Sequence, residues 1–155
     1  MAGVNAIKVA RAEARDKAQW VRLWRLWQEH MSGAVPEDVT ERTWQLAHDP
    51  GSKLLILLGF APSGHAVGFA TVSFAPFAWT GADIAFLQDL FVMEGQRGNG
   101  AGEALLAAVY AQAEERGATQ VYWMVDEKDE KLQRFYARHG IRTPYVRYMR
   151  APWPW

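Results

Sequence analysis

Apolar and polar positions along this chain repeat with two periods, and the switches between them mark out the elements. From Asp16 the run DKAQWVRLWRLWQEHM places Trp20, Leu23, Trp24 and Trp27 at i, i+3, i+4 and i+7, the spacing of one helical face. After SGAVP, EDVTERTWQLAHD predicts a second helix, stopped by Pro50 and Gly51. Before them, NAIKVARA (5–12) reads as a strand. KLLILLGF and HAVGFATVSF, joined by APSG, predict an antiparallel hairpin whose first strand is apolar on both faces. IAFLQDLFVM predicts another buried strand, running into the glycine-rich turn EGQRGNGAG. A third helix is expected over about 100–116, closed by Gly117, then a strand at TQVYWMVDE, a last helix over about 130–139 ending at Gly140, and a final strand at PYVRYM. The order β-α-α-β-β-β-α-β-α-β predicts a mixed α/β (α+β) protein. With no repeats or low-complexity linkers, one domain over 1–155 is expected.

Composition narrows the function classes. The chain has 155 residues, half of them apolar, enough to bury a core. Lys plus Arg and Asp plus Glu balance at 17 each, so there is no net field to steer the protein toward nucleic acid or an anionic bilayer, and neither is expected as a partner. The absence of cysteine excludes disulfides, thiolate metal sites and a cysteine nucleophile, and no metal is expected. MAGVNAIKVARAEARDK lacks a basic-then-apolar leader pattern, and no apolar run approaches the roughly 20 residues of a membrane span, which predicts a cytoplasmic protein.

The glycine turn is the strongest chemical signal. A loop between a buried strand and a helix directs backbone N–H groups and the positive end of the helix dipole at one spot, which suits a phosphate or pyrophosphate. Gly98, Gly100 and Gly102 permit a sharp turn and close approach of a ligand. A P-loop requires Gly-Lys-Ser/Thr at the helix start, and here Gly102 is followed by Glu103 and Ala104. The dinucleotide fingerprint requires G-x-G-x-x-G in an early βαβ unit, whereas the spacing here is G-x-G-x-G after an antiparallel meander. A turn that serves packing alone is the remaining alternative on spacing.

Arg97-Gly98-Asn99-Gly100-Ala101-Gly102 resembles the R/Q-x-x-G-x-G/A turn of the GNAT superfamily of acyl-CoA N-acyltransferases, and the predicted element order is that family's order. FATVSFAPFAW, FLQDLFVMEGQRGNGAG and WMVDEKDEKLQRFYARHG resemble, in order and spacing, the polyamine acetyltransferases and the small bacterial and yeast acetyltransferases grouped with them. The resemblance implies that the fourth and fifth strands splay apart. The pantetheine arm of acetyl-CoA, the acyl-donor cosubstrate, would then pair with Leu90, Phe91 and Val92 as a short strand does. It also implies that the pyrophosphate sits on the backbone from Arg97 to Glu103, that is Arg97, Gly98, Asn99, Gly100, Ala101, Gly102 and Glu103. Arg97 itself pairs with a phosphate or is merely solvated.

By the same resemblance the reaction is direct attack of a neutral amine on the thioester. Such a site removes an amine proton, stabilises an oxyanion and protonates a leaving thiolate. Tyr136 matches the family's tyrosine acid, which also lies against the cofactor; the alternative is that Phe135 and Tyr136 only pack a helix. The backbone N–H of Phe91 or Val92 is the expected oxyanion donor. Two positions depart from the polyamine enzymes. Gln88-Asp89 stands where they carry Glu-Asp, so deprotonation falls to Asp89, Glu94 or a water chain, with Gln88 left to bind the amine or order a water. Asp129 stands for an asparagine that contacts the pantetheine region, keeping an N-cap but losing an amide donor.

For the acceptor, 29–41 would border the site, with Glu29 and His30 binding substrate alongside Gln88 and Asp89; its acidic residues Glu37, Asp38 and Glu41 suit a cationic amine or simply solvate a helix start. Trp79, Phe74 and Phe77 line the pocket or belong to the core. A primary amine of a polyamine-like or amino-acid-like small molecule is the leading acceptor, with a protein lysine second. An acyl-CoA-binding sensor without turnover is the competing class, motivated by Gln88. The aromatic, basic tail PYVRYMRAPWPW predicts pairing with another subunit in a homodimer.

Overall fold

The structure, a computed structural model, describes residues 6–151. Its contacts group into two units, Met1–Trp123 and Met124–Trp155. The first holds a five-stranded sheet in the order β1 (Lys8–Arg11), β2 (Leu54–Phe60), β3 (Ala66–Pro76), β4 (Asp83–Val92) and β5 (Val121–Tyr122). The first four are antiparallel neighbours, and β5 runs parallel to β4. Between β1 and β2 come α1 (Lys17–His30) and α2 (Glu37–His48); α3 (Ala101–Glu115) connects β4 to β5.

Side chains of the central strands alternate between two buried faces, which is why β2 is apolar throughout. On one face Ile56, Leu58 and Phe69 pack with Trp20 and Leu23 of α1 and Trp44 of α2. On the other, Gly59 and Gly68 lie against Leu105 of α3. The aromatic stripe of α1 is this first core: Trp20 stacks on Trp24 at 5.6 Å and lies 5.2 Å from Trp44, and Trp24 meets the edge of Phe69. Before α1, Glu13 N–H donates to Asp16 at 2.9 Å, part of a capping box on the 3₁₀ turn Ala14–Asp16 that leads into the helix. At Gly68 a Cβ would lie 2.5 Å from the Phe91 carbonyl oxygen, so β3 approaches β4 this closely only with glycine there.

Helices α1, α2 and α3 and strands β2, β3 and β4 lie where the periodicity predicts them. The residue that opens the expected first strand, Asn5, lies outside the described residues, and β1 is seen from Lys8. The strand expected at TQVYWMVDE is cut to Val121–Tyr122, because β4 pairs with it only through Ala85 and Phe86. The strand expected at PYVRYM is not formed: residues 141–150 have no regular structure and are exposed. Pro144 removes a ladder donor, and Tyr145, Val146 and Tyr148 are all exposed, with no sheet face covering them.

In the second unit α4 (Glu130–Ala137) is capped by Asp129, whose Oδ1 accepts the Leu132 N–H at 2.9 Å. The helix closes with His139 and Gly140 N–H groups on the Tyr136 carbonyl, two residues before the end expected from the sequence.

Candidate active site

A β-bulge in β4 organises the site. Thr71 of β3 lies opposite Asp89 and Val72 opposite Leu87, so Gln88 is an extra residue without a partner. The insertion exchanges faces. Ala85 and Leu87, opposite Phe74 and Val72, lie on the α3 face, whereas Asp89 and Phe91, opposite Thr71 and Phe69, lie on the α1 face. Gln88 shares that face too, since its Nε2 donates to Ser73 Oγ at 2.8 Å and Ser73 lies opposite Phe86. Uninterrupted alternation would have put Asp89 against α3; the bulge delivers it to α1.

There Asp89 Oδ1 accepts the Trp27 indole N–H at 2.9 Å, and the Thr71 hydroxyl also donates to the carboxylate. Burial pushes the Asp89 carboxyl above its ordinary value, and those two hydrogen bonds partly offset the rise. A half-buried carboxylate with a raised pKa is closer to a workable proton acceptor near neutrality than a solvated one. Around it Trp27 lies 5.7 Å from Phe91 and stacks on His30 at 5.6 Å, and Phe91 lies 6.4 Å from His30. His30 is thus brought to the rim of the aromatic cluster around Asp89.

The second feature is the open edge of β4. Its ladder with β5 ends at Phe86, and among the described residues no strand registers against 87–92 on that side. Strand geometry decides which groups face the opening. Met93 N–H bonds Val67 of β3, so Val92 directs its groups away from β3 and Phe91 toward it. Of the two expected oxyanion donors, Val92 N–H faces the open edge and Phe91 N–H does not. Leu90 shares the outward orientation of Val92.

The glycine turn follows directly. A short 3₁₀ turn at Glu94–Gln96 leads to Arg97, whose Nε donates to the Val92 carbonyl at 3.0 Å, closing the end of the edge. Gly98 and Gly100 take φ of 82° and 79°, the left-handed region that side chains disfavour. A Cβ at either would meet nothing within 4 Å, so the backbone there is open to an incoming group. Gly100 caps α3, and the first intrahelical bond closes from Ala104 N–H to Gly100 O at 2.9 Å. The N–H groups ahead of Ala104 lie beyond the reach of the helix's own carbonyls, as at any helix start. Ala101 is buried and Gly102 half-buried at this start. An exposed loop followed by a helix N-terminus is the general setting in which proteins hold phosphates.

The remaining expected residues differ in setting. Glu29 is exposed, while Glu37 pairs with Arg25 and Glu41 with Lys17, so those two acids answer cations of α1. Asp38 and Glu94 are exposed. Phe74 is core, beneath the Arg116 guanidinium at 4.7 Å; Trp79 stands 91% exposed in the β3–β4 turn. Asp129 and Tyr136 belong to the second unit, where Asp129 is the α4 cap and Tyr136 lies half-buried, edge-on to Phe135 at 5.0 Å. Among the described residues no group of His, Asp and Glu could hold a metal, and no helix is long and apolar enough to cross a membrane. Sequence reasoning missed the bulge and the role of Trp27. The available signal was Asp89 itself, a carboxylate in line with the buried positions Leu87 and Phe91.

A bulged strand with an open edge, a glycine turn and a helix start define the scaffold of an acyltransferase, and the chain belongs to the acetyltransferase (GNAT) family, whose model matches residues 20–141. It is an acetyltransferase enzyme. Over 147 residues it is 32% identical to the D-amino-acid N-acetyltransferase HPA3 of Saccharomyces cerevisiae, covering 94% of this chain and 91% of that one. It is 32% identical over 112 residues to an aminoglycoside N(6')-acetyltransferase type 1 of Klebsiella aerogenes, with 70% of this chain and 71% of that one covered. Its fold matches the ribosomal-protein-alanine N-acetyltransferase of Brucella melitensis biovar Abortus 2308 with a TM-score of 0.75, at 20% identity over 94% of this chain and 99% of that one.

Proposed function

We propose that this enzyme moves the acetyl group of acetyl-CoA to a primary amine on a small, amino-acid-like molecule, as a single domain acting in the cytoplasm without nucleic acid or membrane partners. The observation that carries the reading is the open edge of β4 running into the glycine turn, one continuous backbone surface for the pantetheine arm and the pyrophosphate. The amino-acid-like acceptor is supported by the yeast relative and by a site built around one half-buried carboxylate, which suits a compact cationic amine better than a long polyamine.

In the proposed sequence the ammonium group gives a proton to Asp89, and the neutral amine attacks the thioester carbon. The N–C bond forms, Val92 N–H stabilises the oxyanion, and the C–S bond breaks with its electron pair leaving on sulfur. Tyr136, assigned by resemblance, protonates the thiolate, and the second proton lost by the attacking nitrogen as the amide forms restores the phenol through solvent; Asp89 returns its proton to solvent, giving N-acetyl product, CoA thiol and one proton. Gln88 orders the acceptor or a water beside Asp89, Glu29 and His30 border the acceptor, and Asp129 caps the Tyr136 helix. A homodimer is part of the proposal, based on the exposed Tyr145, Val146 and Tyr148.

A panel of D- and L-amino acids, aminoglycosides, polyamines and a lysine peptide, each incubated with acetyl-CoA while free thiol is followed, tests the reading. Turnover is expected on amino-acid-like amines. Turnover confined to the peptide refutes the small-molecule acceptor, and none on any amine refutes the proposed reaction.

A further inference from the structure

Helix α1 carries three tryptophans on its inner side, and their indole N–H groups meet three different fates. Trp20 Nε1 is buried with no hydrogen-bond partner, and Trp24 Nε1 donates to the neutral Thr40 hydroxyl at 3.2 Å. Trp27 Nε1 donates to the Asp89 carboxylate at 2.9 Å. Since this fold keeps one tryptophan with an unbonded N–H in its core, satisfying an indole does not by itself account for a carboxylate opposite Trp27. The bond joins residues 62 positions apart and exists only because the bulge turns Asp89 toward α1.

We propose that Trp27 is the positioning residue for the base: its indole N–H fixes the Asp89 carboxylate in one orientation and favours the charged form that accepts the amine proton. The inference deepens the proposed function and rests on it. A hydrogen bond from a neutral donor stabilises the carboxylate and not the carboxylic acid, so it opposes the effect of burial. The groups around Asp89 leave this donor prominent. From β3 come the neutral hydroxyls of Thr71 and Ser73, and on β4 stands the neutral amide of Gln88. From α1 the titratable neighbour is His30, stacked on the Trp27 ring, while Arg22 is committed to the Ala66 carbonyl and Met93 sulfur. Trp27 is held in turn by Phe91 and His30, so the donor cannot follow a wandering carboxylate.

Trp27→Phe keeps an aromatic ring between Phe91 and His30 while removing the donor together with part of the indole. In protein without CoA, the side-chain carboxyl carbon of Asp89, followed by carbon-13 NMR, should titrate at higher pH in Trp27→Phe than in the wild type. The acid limb of kcat/KM should move up with it, costing about tenfold in rate on the acid side per unit of displacement. A purely structural role for Trp27 would lower kcat without moving the limb. A carboxyl titration that does not move, or a limb that does not follow it, overturns the inference. Neither result touches acetyl transfer itself, which the amine panel tests with the wild type. Should Trp27→Phe not fold, the wild type still decides: the Trp27 indole N–H resonance must titrate with the Asp89 carboxyl and lose that step in Asp89→Asn, and an indole signal indifferent to pH refutes the coupling.

Discussion

Replacing Gly100 by valine separates the use of the turn from its folding. Gly100 is the α3 cap at φ 79°, and an added Cβ meets nothing within 4 Å. The folded chain is therefore affected through the backbone alone: an L-residue in the left-handed region costs about 1–2 kcal/mol, toward the upper end for a β-branched one. With a urea slope near 2 kcal/mol/M, that moves the midpoint by roughly 0.5–1 M. A pyrophosphate held as proposed would change the comparison, because its oxygens would need the space that is open at Gly100. Loss of two charge-assisted bonds from this turn, at about 1.5–3 kcal/mol each, amounts to about 3–6 kcal/mol. At 1.4 kcal/mol per decade, CoA affinity should fall roughly 10²- to 10⁴-fold. Calorimetric titration of CoA into the variant, with urea unfolding on the same preparation, measures both. A folded variant that binds CoA with wild-type affinity refutes the phosphate cradle, and one that loses stability and affinity in equal measure shows that the glycine serves only the turn.

Tyr136→Phe should lower kcat by roughly 10- to 10⁴-fold with little change in CoA affinity, the range for a positioned acid; near-normal turnover would return Tyr136 to packing. Gln88→Glu places a second carboxylate beside Asp89 on the same face and should shift the acid limb of the pH-rate profile; an unmoved profile would show that position 88 takes no part in proton traffic. Because burial raises the Asp89 pKa above its ordinary 3.8, its ionisation opposes folding: stability is highest below that value and declines as pH rises through the folded pKa. Asp89→Asn, which keeps an acceptor for Trp27, should therefore gain on the wild type in urea melts at neutral pH and lose that advantage as the pH falls below about 4; a gap independent of pH contradicts the assignment. Light scattering at micromolar concentration, with and without CoA, should give a dimer, and a monomer in both conditions refutes the proposed assembly.

Much of this was legible because helices report their buried face at a fixed spacing. Trp20, Leu23, Trp24 and Trp27 could serve only one face, and Gly117 and Gly140 closed their helices. The turn at 97–102 was legible for a similar reason, since few residues other than glycine accept φ near 80°. The bulge was not. In IAFLQDLFVM the odd positions Ala85, Leu87, Asp89 and Phe91 read as one face, and only pairing with β3 shows that the face changes at Gln88. A strand's register is a property of two strands, and one of them alone does not contain it. PYVRYM failed in the opposite sense: its aromatic and β-branched residues favour a strand, but such propensity yields one only where a partner supplies the other half of the ladder. The acidic stretch 29–41 was legible only as charge, because a count of acids ignores who stands opposite: Arg25 pairs with Glu37 and Lys17 with Glu41.

The bulge at Gln88 also bears on what the bare protein avoids. A strand edge left open to receive a ligand is equally a template for the strand of a stray neighbour, and a straight, apolar edge invites fibrous growth. Here the extra residue bends and twists the strand just where β5 leaves it, so the open stretch is short, and Arg97 already occupies the outward carbonyl at its far end. Deleting Gln88 would leave a regular ladder, with Asp89 still opposite Thr71 on the α1 face, and would straighten the edge, exchanging a short bent opening for a sticky ribbon. The irregularity that sets Gln88 and Asp89 side by side on one face is thus also a guard against edge-to-edge pairing.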